Sequence, residues 1–196
     1  MASAQKRIAV FLDRDGTVNE DAEYLSDPNE LKLIPGSGGA IRLINEAGLL
    51  AVVLTNQSGV ARGYFSETQV GIVNKRLDLL LAQNQAKIDA YYYCPHHPTE
   101  GNAPYRVECD CRKPKTGMIK KAVKKLDIDP QISYMVGDKL SDLKMADAAG
   151  AKGILVRTGY GRNTELDIIK EGFSQTYKVS DNLLSAVHWI LEDIKK

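Results

Sequence analysis

The sequence predicts an α/β fold in which a parallel sheet is covered by helices on both faces. Apolar runs of strand length, such as IAVFL and LLAVVL, carry no polar interruption, as in strands buried on two sides. Between such runs lie longer stretches of helical period, which supply the crossovers that parallel strands need. Several apolar runs also end abruptly in polar clusters. In parallel sheets the ligand crevice lies outside the carboxyl ends of the strands.

Taken in order, Ile8–Leu12 is a buried strand leading into a charged loop that lasts to about Ile34. Gly36–Ala47 reads as a helix, with Ala40, Ile41, Ile44 and Ala47 on one face, and Leu49–Leu54 as the second strand. Ser66 followed by Gln69 has the spacing of a capping box, opening a helix to about Ala86. Ile88–Tyr93 is a third strand, followed by a long loop over 94–111 in which Pro95, Pro98 and Pro104 discourage helix. Thr116–Leu126 is helical, Tyr134–Val136 a strand, Asp142–Ala149 a helix and Gly153–Val156 a strand. Asn182–Lys196 is an amphipathic helix carrying the only tryptophan, Trp189. With no repeat or linker, residues 1–196 read as one domain.

Composition narrows the function classes. The 196 residues are 43% hydrophobic and 26% charged, with a formal net charge of +1, the profile of an ordinary globular protein. No block of like charge argues for nucleic-acid or membrane-surface binding. No apolar run approaches the roughly 18 residues of a membrane span, and the first apolar stretch meets Asp13 too soon for a signal-peptide core. An odd number of cysteines, three, fits a reducing cytoplasm, and a monomer is the default expectation.

Four polar clusters would meet at one rim of a parallel sheet. They are DRDGT after the first strand, TNQSG after the second, CRKPK after the long loop, and GDKLSD after YMV. Each has an ordinary use alone: Asp15–Gly16 as a turn, Thr55–Asn56 as a strand end, Asp138 or Asp142 as a helix cap. Together they supply the parts of a phosphoryl-transfer site. A strand-end carboxylate, Asp13, can attack phosphorus. Asp13, Asp138 and a backbone carbonyl are the hard oxygen ligands that Mg²⁺ prefers. Asp15 can protonate the leaving oxygen and later deprotonate water. Thr55 and Lys113 can hold the phosphoryl oxygens and stabilise developing charge.

The stretches FLDRDGT, LTNQSG, RKPKTGM and MVGDKLSD, in that order, resemble the four motifs of the haloacid dehalogenase-like phosphohydrolases. DRDGTVNED, TNQSGVARGYF, YYYCPHHP and CDCRKPKTGM further resemble a subgroup acting on sugar bisphosphates, and the likeness runs from about Ile8 to Gly159. The resemblance implies a Rossmann-like three-layer fold without a large cap domain. It makes Asp13 the nucleophile and Asp15 the general acid/base, with Mg²⁺ on Asp13, the Asp15 carbonyl and Asp138. Thr55, Arg112 and Lys113 would stabilise the transferring group, and Lys139 would contact substrate. Substrate-binding stretches would include Arg14, Asp21, Ala22, Glu23, Tyr24, Asn56, Gln57 and Ser58. The substrate implied is a small phosphorylated sugar.

All three cysteines and two of the three histidines fall in 94–111. Cys94, His96, Cys109 and Cys111 form a Cys₃His set suited to tetrahedral Zn²⁺. Spacing alone leaves His97 as a rival; the resemblance favours His96. Four protein ligands leave no open position, so such a zinc is structural, shaping the loop that ends at Arg112 and Lys113. Histidinol-phosphate phosphatases share a zinc loop, but theirs is shorter between the ligand pairs and their second motif lacks the VARGYF continuation. A zinc-stabilised binding module without catalysis is the other alternative, opposed by the intact carboxylate and lysine set.

Overall fold

The structure, a computed structural model, describes residues 6–171 and 177–196. Six parallel strands form one sheet: β1 (Ala9–Leu12), β2 (Leu50–Asn56), β3 (Ala90–Cys94), β4 (Tyr134–Gly137), β5 (Lys152–Val156) and β6 (Tyr177–Ser180). Their order across the sheet is β3-β2-β1-β4-β5-β6. Helices α1 (Ser37–Glu46), α2 (Glu67–Ala82), α3 (Gly117–Leu126), α4 (Leu140–Ala149), α5 (Gly161–Glu171) and α6 (Leu183–Asp193) connect or flank them. The Rossmann-like parallel architecture expected from the sequence is thus present.

The unbroken apolar runs have a simple cause. Val10 and Leu12 of β1, with Ala51 and Val53 of β2, pack beneath α1, α2 and α6. Their neighbours Ala9, Phe11, Leu50, Val52 and Leu54 point the other way, into a core with α3 and α4. Alternate residues serve opposite layers, so none can be polar without a buried partner.

Several boundaries differ from the sequence reading. Helix α2 ends at Ala82 rather than near Ala86, and Gln85 beyond it has a left-handed φ of 56°. Ser66 does cap α2, its Oγ accepting from the Gln69 amide at 3.2 Å, but the Gln69 side chain reaches the Ser26 carbonyl instead of returning to the cap. Helix α5 and strand β6 had no counterpart among the expected elements. Among the described residues, no helix is long and apolar enough to cross a membrane.

The strand order places the polar clusters together. β1 lies between β2 and β4, and the chain's progress across the sheet reverses there, the position where doubly wound folds open a crevice. Leu12 pairs with Val136, and the Asp13 amide donates to the Val136 carbonyl at 2.9 Å, so residues after β1 and β4 leave the sheet side by side.

Candidate active site

At the end of β1, Asp13 is 4% exposed, and the next peptide N–H, that of Arg14, donates to its Oδ1 at 2.7 Å. Lys113 approaches the same oxygen at 2.9 Å. The ammonium of Lys113 also lies 2.6 Å from Asp142 Oδ1 and donates to the Leu54 carbonyl at 3.0 Å. The ammonium thus has three oxygen neighbours, two of them on carboxylates. Burial alone would lower the Lys113 pKa, but the charges of Asp13 and Asp142 outweigh it and raise it, so the side chain stays cationic.

Asp142 joins two roles. Its Oδ2 accepts the Lys139 amide at 3.1 Å, while Oδ1 faces Lys113. Helix α4 begins at Leu140 with Lys139 at the cap position, so Asp142 secures the first turn from inside the helix rather than capping it as expected. Asp142 Oδ1 accepts no hydrogen bond of good geometry, but the Lys113 cation already stands against it as an ion pair. Asp138 differs: Oδ2 accepts the Tyr160 amide at 2.8 Å, but Oδ1 is buried with no hydrogen-bond partner among the described residues. Burial, with the charge of Asp13 adding to it, pushes the Asp138 carboxyl up to about 7. Asp13, Asp138 and Asp142 present carboxylate oxygens all within 4.8 Å of one another. An orphaned buried acceptor among crowded carboxylates is the environment a divalent cation relieves, and the donor set is all hard oxygen. The residues present fit Mg²⁺, with Asp138 and Asp13 better placed to hold it than Asp142.

Asp15 is held by four donors. Arg14 grips it as a fork, Nε to Oδ1 at 3.1 Å and Nη2 to Oδ2 at 3.0 Å. Asn19 Nδ2 reaches Oδ1 at 2.9 Å, and Gln57 Nε2 reaches Oδ2 at 2.9 Å. Burial would raise the Asp15 carboxyl, but the Arg14 charge and these hydrogen bonds hold it below the usual carboxylate value. The Gln57 amide nitrogen also donates to Thr55 Oγ1 at 2.9 Å, leaving the threonine hydroxyl proton free for another acceptor.

Above these groups opens a cavity of about 570 Å³. Asp15, Asp21, Glu23, Tyr24, Asn56, Gln57, Ser58, Arg112, Lys113 and Lys139 line it. Asp13, Thr55 and Asp138 are buried beside them. Two of the expected substrate contacts differ. The Arg14 side chain is wholly buried, its remaining nitrogen Nη1 bound to Asn74 Oδ1 at 3.1 Å, so it positions Asp15 rather than facing the cavity. Ala22 is exposed and does not line the cavity.

A fifth segment, Arg157–Gly161 after β5, also belongs to the site, although the sequence reading found no motif there. Thr158 Oγ1 donates to the Gly16 carbonyl at 2.7 Å, and Thr164 Oγ1 to the Asp138 carbonyl at 2.8 Å. At Gly159, with φ 53°, a Cβ would stand 2.3 Å from Asp138 Oδ2, so only glycine lets this loop close on the carboxylate.

In the 94–111 loop, the Cys94, Cys109 and Cys111 sulfurs lie 3.2–3.5 Å apart, and His96 Nδ1 is 3.4 Å from Cys111 Sγ. These separations are too long for a disulfide of about 2.05 Å and of the order of the edge of a thiolate tetrahedron around Zn²⁺. His97 turns away, its Nδ1 accepting the Glu100 amide at 3.0 Å. Spacing left the two imidazoles open; the geometry selects His96. The loop's end is tied to the site: Arg112 Nη1 donates to the His96 carbonyl at 3.1 Å, and the Lys113 amide to Asn56 Oδ1 at 3.1 Å.

A HAD-hydrolase-like family model matches residues 110–186. The chain is 46% identical over 184 residues to a D-glycero-beta-D-manno-heptose-1,7-bisphosphate 7-phosphatase of Haemophilus ducreyi, covering 93% of this chain and 97% of that one. The chain belongs to the heptose-bisphosphate 7-phosphatase family. Its fold is similar to a D,D-heptose 1,7-bisphosphate phosphatase of B. bronchiseptica complexed with magnesium and phosphate, with a TM-score of 0.84, 35% identity and coverage of 95% and 99%. A second such enzyme, from Burkholderia thailandensis, superposes with a TM-score of 0.69 at 30% identity, covering 97% of this chain and all of that one. As a member of the heptose-bisphosphate phosphatase family, the chain is a phosphoric monoester hydrolase.

Proposed function

We propose that the chain removes the 7-phosphate of D-glycero-D-manno-heptose 1,7-bisphosphate through an aspartyl-phosphate intermediate. The observation that carries this is the convergence of Asp13, Lys113 and Asp138 beside a 570 Å³ cavity, in a chain so similar to named heptose bisphosphate phosphatases.

The Asp13 carboxylate attacks the 7-phosphorus while the bond from phosphorus to the sugar O7 breaks. Asp15 gives its proton to that departing oxygen. The incoming phosphate dianion opposes the ionised form of Asp15 and so favours its arrival as the acid. In the second half Asp15, now a carboxylate, takes a proton from water. That water attacks phosphorus, the bond to Asp13 breaks, and phosphate leaves. Lys113, locked between Asp13 and Asp142, offsets the charge that gathers on the phosphoryl oxygens, with Thr55 and Arg112 as further donors. Mg²⁺, when held by Asp13, the Asp15 carbonyl and Asp138, supplies charge neutralisation between carboxylate and phosphate. Zn²⁺ on Cys94, His96, Cys109 and Cys111 is structural, as four protein ligands leave no open position. The thiolates require a reducing compartment, consistent with a cytoplasmic step in the making of ADP- or GDP-activated heptose for lipopolysaccharide or other surface glycans.

The test is a panel containing both heptose bisphosphate anomers, heptose 7-phosphate and histidinol phosphate, read by phosphate release. A heptose bisphosphate should have the highest kcat/KM. Preference for histidinol phosphate would replace the sugar assignment, and no release from any ester would leave only a binding module.

A further inference from the structure

Two lysines face the cavity, and their surroundings differ. Lys113 is 2% exposed and surrounded by Asp13, Asp142 and the Leu54 carbonyl, committed to the reacting group. Lys139 is 41% exposed, and its partners are looser: Asp21 Oδ2 at 3.3 Å on one side, and the Tyr160 ring, whose centroid is 4.7 Å from Nζ, on another. Asp21, Lys139 and Tyr160 all line the cavity. Taking the substrate reading above as its basis, we infer that Tyr160 is a positioning residue that holds Lys139 ready for a second anionic group on the substrate.

An ammonium has three N–H donors, and at Lys139 Asp21 provides one carboxylate for them. A phosphate dianion entering the cavity competes with Asp21 for those donors. The ring does not compete, because it carries no charge and attracts the cation through its π face. It therefore holds the lysine at the cavity mouth whichever anion is bound, whereas Asp21 alone would pull the cation toward itself.

The ring's place is set by the backbone and not by its own contacts. The Tyr160 amide donates to Asp138 Oδ2 at 2.8 Å. At Gly161 an added Cβ would lie 1.7 Å from the Val156 carbonyl oxygen, so the turn is tightly closed on β5. Replacing the side chain leaves the amide and the carboxylate it steadies in place. Tyr160 can thus be altered without removing a group from the phosphoryl-transfer centre.

The experiment compares wild type, Tyr160→Ala and Tyr160→Phe on heptose 1,7-bisphosphate and on p-nitrophenyl phosphate, which has one phosphate and no sugar. A partly exposed cation–π contact corresponds to roughly two- to fivefold in affinity. Tyr160→Ala should lower the ratio of kcat/KM for the bisphosphate to that for the simple ester by about that factor, through KM for the bisphosphate. Tyr160→Phe, which keeps the π face, should restore the ratio. Dividing by the simple ester cancels any change in the folded fraction. An unchanged ratio in Tyr160→Ala, or an equal fall in Tyr160→Phe, overturns the role of the ring. Failure of wild type to prefer the bisphosphate overturns the substrate reading and this assignment with it.

Discussion

Lys113 Nζ stands 2.9 Å from Asp13 Oδ1 and 2.6 Å from Asp142 Oδ1, in a pocket that leaves the lysine side chain 2% exposed. One buried cation thus holds two carboxylates, one at the end of β1 and one in the first turn of α4, and removing it leaves both uncompensated. Lys113→Met should abolish turnover and cost about 3–5 kcal/mol of stability, the range for breaking a buried pair from one side. Adding Asp142→Asn should recover part of the stability but none of the activity. Urea unfolding of the single and double variants checks this, and a Lys113→Met protein as stable as wild type would show that the three groups are not coupled.

Asp13→Asn should give no turnover, because an amide is a far poorer nucleophile and a weaker ligand for a cation. Its fold should persist, since the substitution also removes a like charge from beside Asp138. Acid quenching during turnover, followed by borohydride reduction, should mark Asp13 in wild type as the site of an acyl phosphate. Label on another carboxylate would move the nucleophile.

Asp15→Asn should bind substrate but lose about 10²–10⁴-fold in kcat, the usual contribution of a general acid/base. The amide can keep two of the four hydrogen bonds that Arg14, Asn19 and Gln57 make to the carboxylate, so the loss should fall on kcat more than on folding. A rate within about twofold of wild type rules out the role.

The readable parts of the sequence were those whose side chains answer to both layers or to the crevice. β1 and β2 announce themselves because every residue but the terminal Asn56 is buried on one face or the other. Helix α5 does not: Leu166 and Ile169 are 56% and 71% exposed, and its buried Ile168 packs in a small satellite cluster. Strand β6 is a four-residue edge, paired on one side with β5. At the site, Asp13 and Asp138 follow from their places after β1 and β4. The orientation of Arg14 did not, because it depends on Asn74 on α2, distant in sequence. The Tyr160 amide and the close approach of Gly159 both meet Asp138 through backbone, which residue type conceals. Yet RTGYG directly follows the apolar run GILV, and the reasoning that found the other strand ends applies there too.

Glu67 at the start of α2 accepts hydroxyl hydrogen bonds from Tyr93 on β3 and Tyr105 in the zinc loop, both at 2.7 Å. These donors hold its carboxyl below the ordinary value of 4.5. A depressed folded-state pKa adds stability that is present above that ordinary value and is lost as pH falls through the folded one. Glu67→Gln should therefore cost about 1 kcal/mol near neutral pH, discounted for partial exposure, and progressively less as pH is taken below the ordinary carboxylate value. Thermal unfolding near neutral pH and below that value provides the comparison; an equal cost at both would show that the charge contributes nothing.

The division of labour between two metal sites is tested most directly by metal analysis and activity measured on the same sample after mild chelation. Hard carboxylates at Asp13 and Asp138 should release their cation, while three thiolates and an imidazole keep theirs. The treated protein should retain about one zinc per chain, have no turnover, and recover fully on adding Mg²⁺. Recovery with Zn²⁺ at the same rate and without Mg²⁺, or a fully active protein that holds no zinc, would contradict the account.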